Sequence, residues 1–233
     1  MTAGDGRYVA MLDVQNYADS VASQASTWNS VGLSVLGSAI QRAEASIDGY
    51  CGTSFDDGAV LNEVPSKAWI DWQGWVHIMA RTRGPVTNVV SVQYRFRTDT
   101  LWRTLTYNSP DDVILPVSVT PPSANSWEAQ IWPSSPLTSG AGFGYGNMAG
   151  IGEFAPNGVA STDIMFRWNY EGGYFPIPDA LNGIACRLAY FYYKLREAPM
   201  AKILSAELGV MQFPLNMPPD VKDDLALWRR TTR

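Results

Sequence analysis

The stretch that decides the fold runs from residue 30 to residue 50 and has the sequence SVGLSVLGSAIQRAEASIDGY. Its apolar side chains recur every three or four residues, which is the spacing of one face of an α-helix. They are Leu33, Leu36, Ile40, Ala43, Ile47 and Tyr50. A helix is therefore predicted at about residues 31–50. Small side chains allow another backbone to come close. On the other faces of this helix they include Gly37, Ser38 and Ala45.

Three further helices are predicted on either side of the central part of the chain, at about residues 12–22, 178–197 and 219–230. Pro178 suits the first turn of the third helix, and Asp179 complements the positive end of its dipole. Beside its main apolar stripe the third helix has a second apolar flank. The flank consists of Cys186, Tyr190 and Tyr193. Two apolar flanks predict burial on two sides, by the same chain or by a neighbouring one.

Between about residues 60 and 170 the apolar period changes from that of a helix to two, the period of β-strands. Val90, Val92, Tyr94 and Phe96 alternate with polar residues, and residues 101–106 are placed to form a hairpin with them. Ile164, Phe166, Trp168 and Tyr170 alternate in the same way. The predicted fold class is α+β, with a small core of about four helices and an inserted antiparallel sheet region. All 233 residues are expected to form one domain.

Residues 134–161 differ from the rest of the chain because they hold seven glycines and few aliphatic side chains. They predict a long Gly-rich loop. Loops longer than about 12–15 residues are usually functional or disordered.

Composition limits the possible functions. The net charge is −5 and the pI is near 4.9, which argues against tight sequence-independent DNA binding. Charged residues make up only 17%, which predicts either surface covered by partners or an aromatic-rich sheet core.

No apolar run approaches the roughly 18 residues of a membrane span, and residues 1–8 are polar, so neither a span nor a secretory leader is expected. Cys51 and Cys186 are interpreted as buried, reduced side chains.

Motifs for catalysis are missing from the sequence. The single histidine, His77, has no Gly-x-Ser-x-Gly elbow beside it and too few other ligands for zinc. Three pairs of adjacent carboxylates diverge too far to act as acid/base dyads. They are Asp56/Asp57, Asp111/Asp112 and Asp223/Asp224. The glycines at 142, 144 and 146 lack G-x-G-x-x-G spacing. We therefore expect no enzyme, no cofactor and no metal site.

One basic cluster and one aromatic set remain open to a binding role. Arg95, Arg97 and Arg103 are placed to share the wet face of the hairpin, as a patch for phosphate or a partner, or simply as a solvated face. Four tryptophans keep a second hypothesis open, a carbohydrate-binding or carbohydrate-hydrolysing sheet protein. They are Trp69, Trp72, Trp75 and Trp132.

Five segments, in this order and spacing, resemble the head–tail connector proteins of tailed bacteriophages, also called adaptor or head-completion proteins. The segments are LDVQNY at 12–17, AIQRAEASIDGYCGTSF at 39–55, RGPVTNVVSV at 83–92, YEGGY with IPDAL at 170–181, and PPDVK at 218–222 running on to Arg230. The match departs at residues 110–161, where typical members have a shorter connection.

The resemblance implies a structural virion protein of the head–tail neck, assembled in the host cytoplasm, with no enzymatic activity and no cofactor. It implies a homo-oligomeric ring, usually a dodecamer, that docks under the portal protein, extends the DNA channel and joins the capsid to a downstream stopper or tail protein. Double-stranded DNA would pass through its lumen without sequence-specific contacts. The resemblance also implies portal-interface candidates in the last helix: Leu225, Leu227, Trp228, Arg229 and Arg230.

Residue patterns add candidates for contacts between ring neighbours, which are Gly37, Ser38, Ala45, Tyr190 and Tyr193. The acidic balance suits a DNA conduit, because carboxylates facing the lumen would repel phosphates. A stopper or tail-tube subunit of the same virion is a third hypothesis. The two long predicted helices count against it, because such subunits are typically dominated by sheet.

Overall fold

A computed structural model describes residues 6–22, 30–71, 73–97, 99–116, 120–122, 126–134, 164–197 and 217–230. The chain divides into two compact units. The first, here called the helical unit, consists of Met1–Gly52 and Phe175–Arg229. The second, the sheet unit, consists of Thr53–Tyr174 and Arg230–Arg233. The expectation of one domain over the whole chain stays a prediction.

The helical unit holds the four predicted helices. They are α1 (Met11–Ala22), α2 (Ser30–Cys51), α3 (Asp179–Glu197) and α4 (Pro219–Ala226). Together with the strands described below, they confirm the α+β fold class. Within the described part of the chain, no helix is both long and apolar enough to cross a membrane.

The core of the helical unit forms where α2 and α3 pack along each other. Of the six residues in the predicted seam of α2, Leu36, Ile40, Ala43 and Ile47 are fully inaccessible, while Leu33 and Tyr50 are half-buried. The fully buried side chains of α3 are Leu181, Ala185, Leu188 and Ala189. Each fully buried Leu or Ile contributes about 1.5–3 kcal/mol through the hydrophobic effect. The apolar spacing of the two helices therefore accounts for their packing.

The chain before α1 is held on α2 by two carboxylates. The buried Glu44 accepts a hydrogen bond from the backbone N–H of Tyr8 at 2.8 Å, and Asp48 pairs with the Arg7 guanidinium at 2.7 Å. Burial raises the pKa of Glu44, while the Tyr8 N–H and the Arg7 charge act in the opposite direction. These polar contacts fix the entry into α1.

The described residues of the sheet unit form two four-stranded antiparallel sheets. Sheet one has the order β1-β8-β4-β5, and sheet two has the order β2-β3-β7-β6. The strands of sheet one are β1 (Gly58–Glu63), β4 (Val86–Phe96), β5 (Arg103–Thr104) and β8 (Ile164–Gly172). Those of sheet two are β2 (Lys67–Ile70), β3 (Val76–Met79), β6 (Val113–Ile114) and β7 (Glu128–Ile131). The predicted hairpin is present, since Gln93 pairs with Thr104 and Tyr94 with Arg103.

The predicted alternation holds in β8 but fails at one point in β4. Ile164, Phe166, Trp168 and Tyr170 are all buried, as their spacing predicted. Val90, predicted on the buried face, is instead 53% exposed. The register with β8 shifts between Val89 and Ser91, and such a bulge turns the side chains on one side of it to the opposite face. Val89 takes the buried position in place of Val90.

The buried carboxylate of Glu63, at the end of β1, is a hydrogen-bonding centre of the sheet unit. One oxygen accepts from the Arg81 N–H at 2.8 Å and from Trp168 Nε1 at 3.2 Å. The other accepts from the Thr82 N–H at 2.8 Å and from the Tyr170 hydroxyl at 3.1 Å. Burial, and secondarily the charge of Glu63, raises the pKa of Tyr170. Glu63 therefore ties β1 and β8 to the turn that precedes β4.

A glycine turn ends β8 and brings two backbones together. Gly173 has a φ of +106°, which is rare for residues with a side chain. A Cβ atom added there would lie 2.2 Å from the carbonyl oxygen of Asp56. Both observations explain why glycine occupies this position. Of the predicted Gly-rich loop at 134–161, only Ser134 lies within the described residues.

Candidate interaction surfaces

The small residues proposed for subunit contacts lie on a side of α2 that its own chain leaves accessible. Ser38 and Ala45 are exposed and Gly37 is half-buried. The Ser38 hydroxyl donates a hydrogen bond to the Ser34 carbonyl oxygen at 3.1 Å, so it needs no acceptor from a neighbouring subunit. The three residues therefore leave room for a close neighbour.

The second apolar flank of α3 is covered largely by the chain itself. Cys186 is buried, and Tyr190 packs edge-to-face against Tyr17 of α1 at a centroid distance of 5.8 Å. Tyr193 is half-buried, with the Lys194 ammonium 5.7 Å from its ring centre. Of the two alternatives that the sequence left open, the same chain accounts for Cys186 and Tyr190.

The portal-interface candidates in and after α4 separate into buried and exposed residues. Leu225 and Trp228 are buried in the helical unit at 0% and 2% exposure, so neither offers its side chain to a partner in this conformation. Leu227 is 66% exposed, and Arg229 is exposed with its guanidinium 5.8 Å from the ring centre of Tyr50. In the sheet unit, Arg230 donates to the carbonyl oxygens of Ala80 and Arg81, both at 3.0 Å. Leu227 and Arg229 are therefore the accessible members.

His77 on β3 lies between two carboxylates. Its Nδ1 is 2.6 Å from Glu128 Oε1 on β7, and its Nε2 is 3.3 Å from Asp71 Oδ2. Burial alone lowers the pKa of His77, but hydrogen bonds to Glu128 and Asp71, with their charges, outweigh it and raise the pKa above its ordinary value. Both ring nitrogens are thereby occupied, which leaves none to act on a substrate.

Three of the four tryptophans that motivated the carbohydrate hypothesis, Trp69, Trp75 and Trp132, have aromatic partners within the chain. Trp69 stacks on His77 with ring centres 4.7 Å apart and an interplanar angle of 11°. Trp75 meets Trp132 edge-to-face at 5.2 Å. Trp72 and the glycines at 142, 144 and 146 lie outside the described residues. The described tryptophans thus pack against side chains of their own chain.

The carboxylate pairs and the cysteines have structural surroundings. Asp56 pairs with Arg83 at 3.3 Å, and Asp112 accepts the backbone N–H groups of Asn108 and Ser109 at 2.9 Å. Both cysteines are buried and unbridged, as predicted. Burial raises the pKa of Cys51 to about 12 and that of Cys186 to about 11, which disfavours the reactive thiolate form of both side chains. Throughout the described ranges, no group of three or more His, Cys, Asp or Glu side chains is arranged to hold a metal ion.

The predicted cluster of Arg95, Arg97 and Arg103 is not formed. Arg103 pairs with Tyr94 in the ladder, so its side chain lies on the same face as Tyr94 and not on that of Arg95. Its guanidinium is 5.6 Å from the ring centre of Phe96. Directly opposite residues of antiparallel strands point to the same side, and their neighbours to the other. Arg95 is therefore separated from Arg103 by the thickness of the sheet.

Arg95 instead joins an aromatic–basic stack on the solvent side of sheet one. The Arg95 guanidinium lies 4.9 Å from the ring centre of Trp102, and the Arg167 guanidinium lies 4.5 Å from the same ring. Arg167 Nε donates to Gln93 Oε1 at 2.6 Å. The three residues Arg95, Trp102 and Arg167 are called the arginine–tryptophan stack below.

Sequence reasoning missed Arg167 and Trp102. The alternation of β8 did place Arg167 on its wet face, and that of β4 did the same for Arg95. The missing information was the pairing of these two strands, which sets Gln93 opposite Arg167 and Arg95 opposite Met165. That pairing joins segments about seventy residues apart in the sequence.

Comparison with known proteins gives a likeness of structure only. No family model matches the chain, and no curated protein matches it in sequence. A chain in the neck of an empty gene transfer agent (GTA) particle, computed with C6 symmetry, has a TM-score of 0.50 and 14% identity, over 100% of this chain and 95% of that one. A chain of the virion of a native GTA particle has a TM-score of 0.46 and 12% identity, over 97% and 93%. In fold, this chain is similar to a protein from the neck of a phage-like particle, as the resemblance to head–tail connectors implies.

Proposed function

We propose that this chain is a structural protein of a phage-type virion, the head–tail adaptor of its neck. In this role it forms a ring under the portal protein, extends the DNA channel and carries the stopper or tail protein below. The observation that carries the proposal is the full-length likeness in fold to a neck protein. The five connector-like segments of the sequence support it independently.

The chemistry of the described residues fits a non-enzymatic role. The single histidine has both ring nitrogens engaged by carboxylates, and both cysteines are buried with raised pKa values. The accessible surfaces of the described residues include the small-residue side of α2 and the turn after α4. Both suit contacts with other proteins.

A dodecameric ring remains the expected assembly. The neck of similar fold was computed with C6 symmetry, and a ring of twelve copies contains a six-fold axis. The deciding experiment is to mix the purified full-length chain with portal protein from the same virion and image the mixture by electron microscopy. We expect a ring of this chain on the portal. A chain that stays monomeric with portal and binds glycans would instead support the carbohydrate hypothesis.

The portal contact is proposed to involve Leu227 and Arg229. Deleting residues 218–233 would also remove the buried Leu225 and Trp228, so surface substitutions are the sharper test. We expect Leu227→Asp combined with Arg229→Glu to weaken portal binding at least tenfold, because an apolar contact is lost and a charge is reversed. Leu12→Asp is the matched control, since Leu12 is an exposed leucine on α1. Equal portal binding by both variants would exclude this contact.

A further inference from the structure

The arginine–tryptophan stack has unused capacity for an anion. Arg95 Nε is buried without a hydrogen-bond acceptor, and the Arg95 Nη2 contact is to the Met165 sulfur at 3.5 Å, which is a weak acceptor. Among the described residues, the acidic side chains form no ion pair with Arg95 or Arg167, whereas they do with Arg83 and Arg103. Two guanidinium groups are thus held in place by one indole ring with their charges uncompensated.

The surroundings of the stack favour a protein partner over DNA. Met165 is exposed on the same face, and Leu101, in the turn before β5, is 76% exposed. Arg, Trp and Met together are typical of the energetically dominant part of protein interfaces. DNA binding would require clustered Lys and Arg, whereas the chain carries a net charge of −5.

A matching acidic surface is present in the helical unit of the same chain. Asp220, Asp223 and Asp224 lie three and four residues apart on α4, so they share one side of it. Arg187 pairs with Asp220 at 3.6 Å and also with Asp224. Two of the three carboxylates share one guanidinium, so this side of α4 keeps an excess of negative charge that is complementary to the positive charge of the stack.

We infer that the arginine–tryptophan stack of one copy binds the carboxylates of α4 on a second copy. This inference rests on the proposed function, because a closed ring needs two different, complementary surfaces on every subunit. The guanidinium groups are preorganised on the Trp102 ring, and incoming carboxylates supply the ion pairs that Arg95 and Arg167 do not form with the described acidic side chains.

Charge reversal in the full-length chain tests the inference, with self-association followed by sedimentation velocity and ring counts in electron micrographs. We expect Arg95→Glu with Arg167→Glu to weaken self-association at least tenfold, because like charges then face each other. Arg97→Glu is the matched control, since Arg97 is an exposed arginine outside the stack, and it should change self-association less than twofold. Added salt should weaken wild-type association, because the contact is between partly exposed charges.

The acidic side gives a second test that leaves the sheet untouched. The double variant Asp220→Lys, Asp223→Lys should also weaken self-association at least tenfold. Mixing it with the Arg95→Glu, Arg167→Glu variant should restore association, because the glutamates of one variant then face the lysines of the other. Circular dichroism spectra serve to check that each variant is folded.

Each result separates the inference from the proposed function. Wild-type rings with equally good rings from both charge-reversal variants would overturn the inference alone. If the Arg95→Glu, Arg167→Glu variant forms unchanged rings but is retained less on double-stranded DNA, the stack binds nucleic acid, and the inference is overturned as well. A wild-type chain that forms no ring, alone or with portal, would overturn the proposed function as well.

Discussion

Replacing Glu63 by Gln changes one atom at the centre of the sheet unit, and its cost follows from the hydrogen bonds there. The carboxylate accepts four, two on each oxygen. The amide keeps one oxygen as an acceptor. If the amide nitrogen takes the second position, the Tyr170 hydroxyl can turn to accept from it and donate to the Arg83 carbonyl at 3.2 Å. The Thr82 N–H then faces a donor and loses its partner.

Hydrogen bonds to a charged group contribute about 1.5–3 kcal/mol each, and a buried donor left unpaired costs about 1–3 kcal/mol. With one such bond lost and another weakened, Glu63→Gln should reduce the free energy of unfolding by about 2–4 kcal/mol. For a chain of this size each kcal/mol lowers the melting temperature by about 2–4 °C, so a decrease of about 4–16 °C is expected.

Thermal unfolding followed by tryptophan fluorescence is the appropriate assay, because Trp168 donates directly to Glu63 and stacks on Tyr170. Glu171→Gln is the matched control, since Glu171 is exposed at the end of the same β8 strand and should change stability by less than about 0.5 kcal/mol. If Glu63→Gln melts at the same temperature as Glu171→Gln, the hydrogen-bond argument is refuted.

Two other predictions concern the sheet unit. The pKa of His77 is raised above 6.5 in the folded chain, so protonation of His77 stabilises the folded state over the unfolded one. This stabilisation is complete below about pH 6.5 and is lost as the pH rises through the folded-state pKa. Denaturant unfolding at several pH values should show this loss for the wild type and not for His77→Asn, and an NMR-detected pKa at or below 6.5 would contradict it. Gly173→Ala should destabilise the chain by more than about 2 kcal/mol, because its backbone is left-handed and its Cβ would meet Asp56. Gly183→Ala, on the open side of α3, should be neutral or stabilising by up to about 1 kcal/mol, and equal melting temperatures for the two variants would refute the contact.

The helices were predictable because their apolar residues alone determine the buried face. Leu36, Ile40 and Ile47 are spaced for one side of a helix whatever packs against them, and all three are buried. For Leu225 and Trp228 the resemblance implied a portal contact, but the sequence could not show which part of the protein covers these side chains. Their own chain does, which narrows the candidates for the portal contact.

Which side chains share a face of sheet one was less predictable, because that depends on how the strands pair. One bulge near Val90 exchanges the exposed and buried positions, and alternation carries no sign of it. The pairing of β4 with β8 brings Arg95 to Arg167, while the ladder to β5 takes Arg103 to the other face. Long-range register therefore decides where the basic residues gather.

The position of β8 between β1 and β4 has a consequence for synthesis on the ribosome. About seventy-six residues separate the end of β4 at Phe96 from the end of β8 at Gly172. At roughly 5–20 residues per second, the side of β4 that β8 will pair waits about 4–15 s for it to emerge, and that of β1, which ends earlier, waits longer. Helices α3 and α4, which complete the helical unit, follow later still. Nascent chains therefore expose open strand edges for seconds, and we expect them to need chaperones and to stay out of assembly until α4 has been translated.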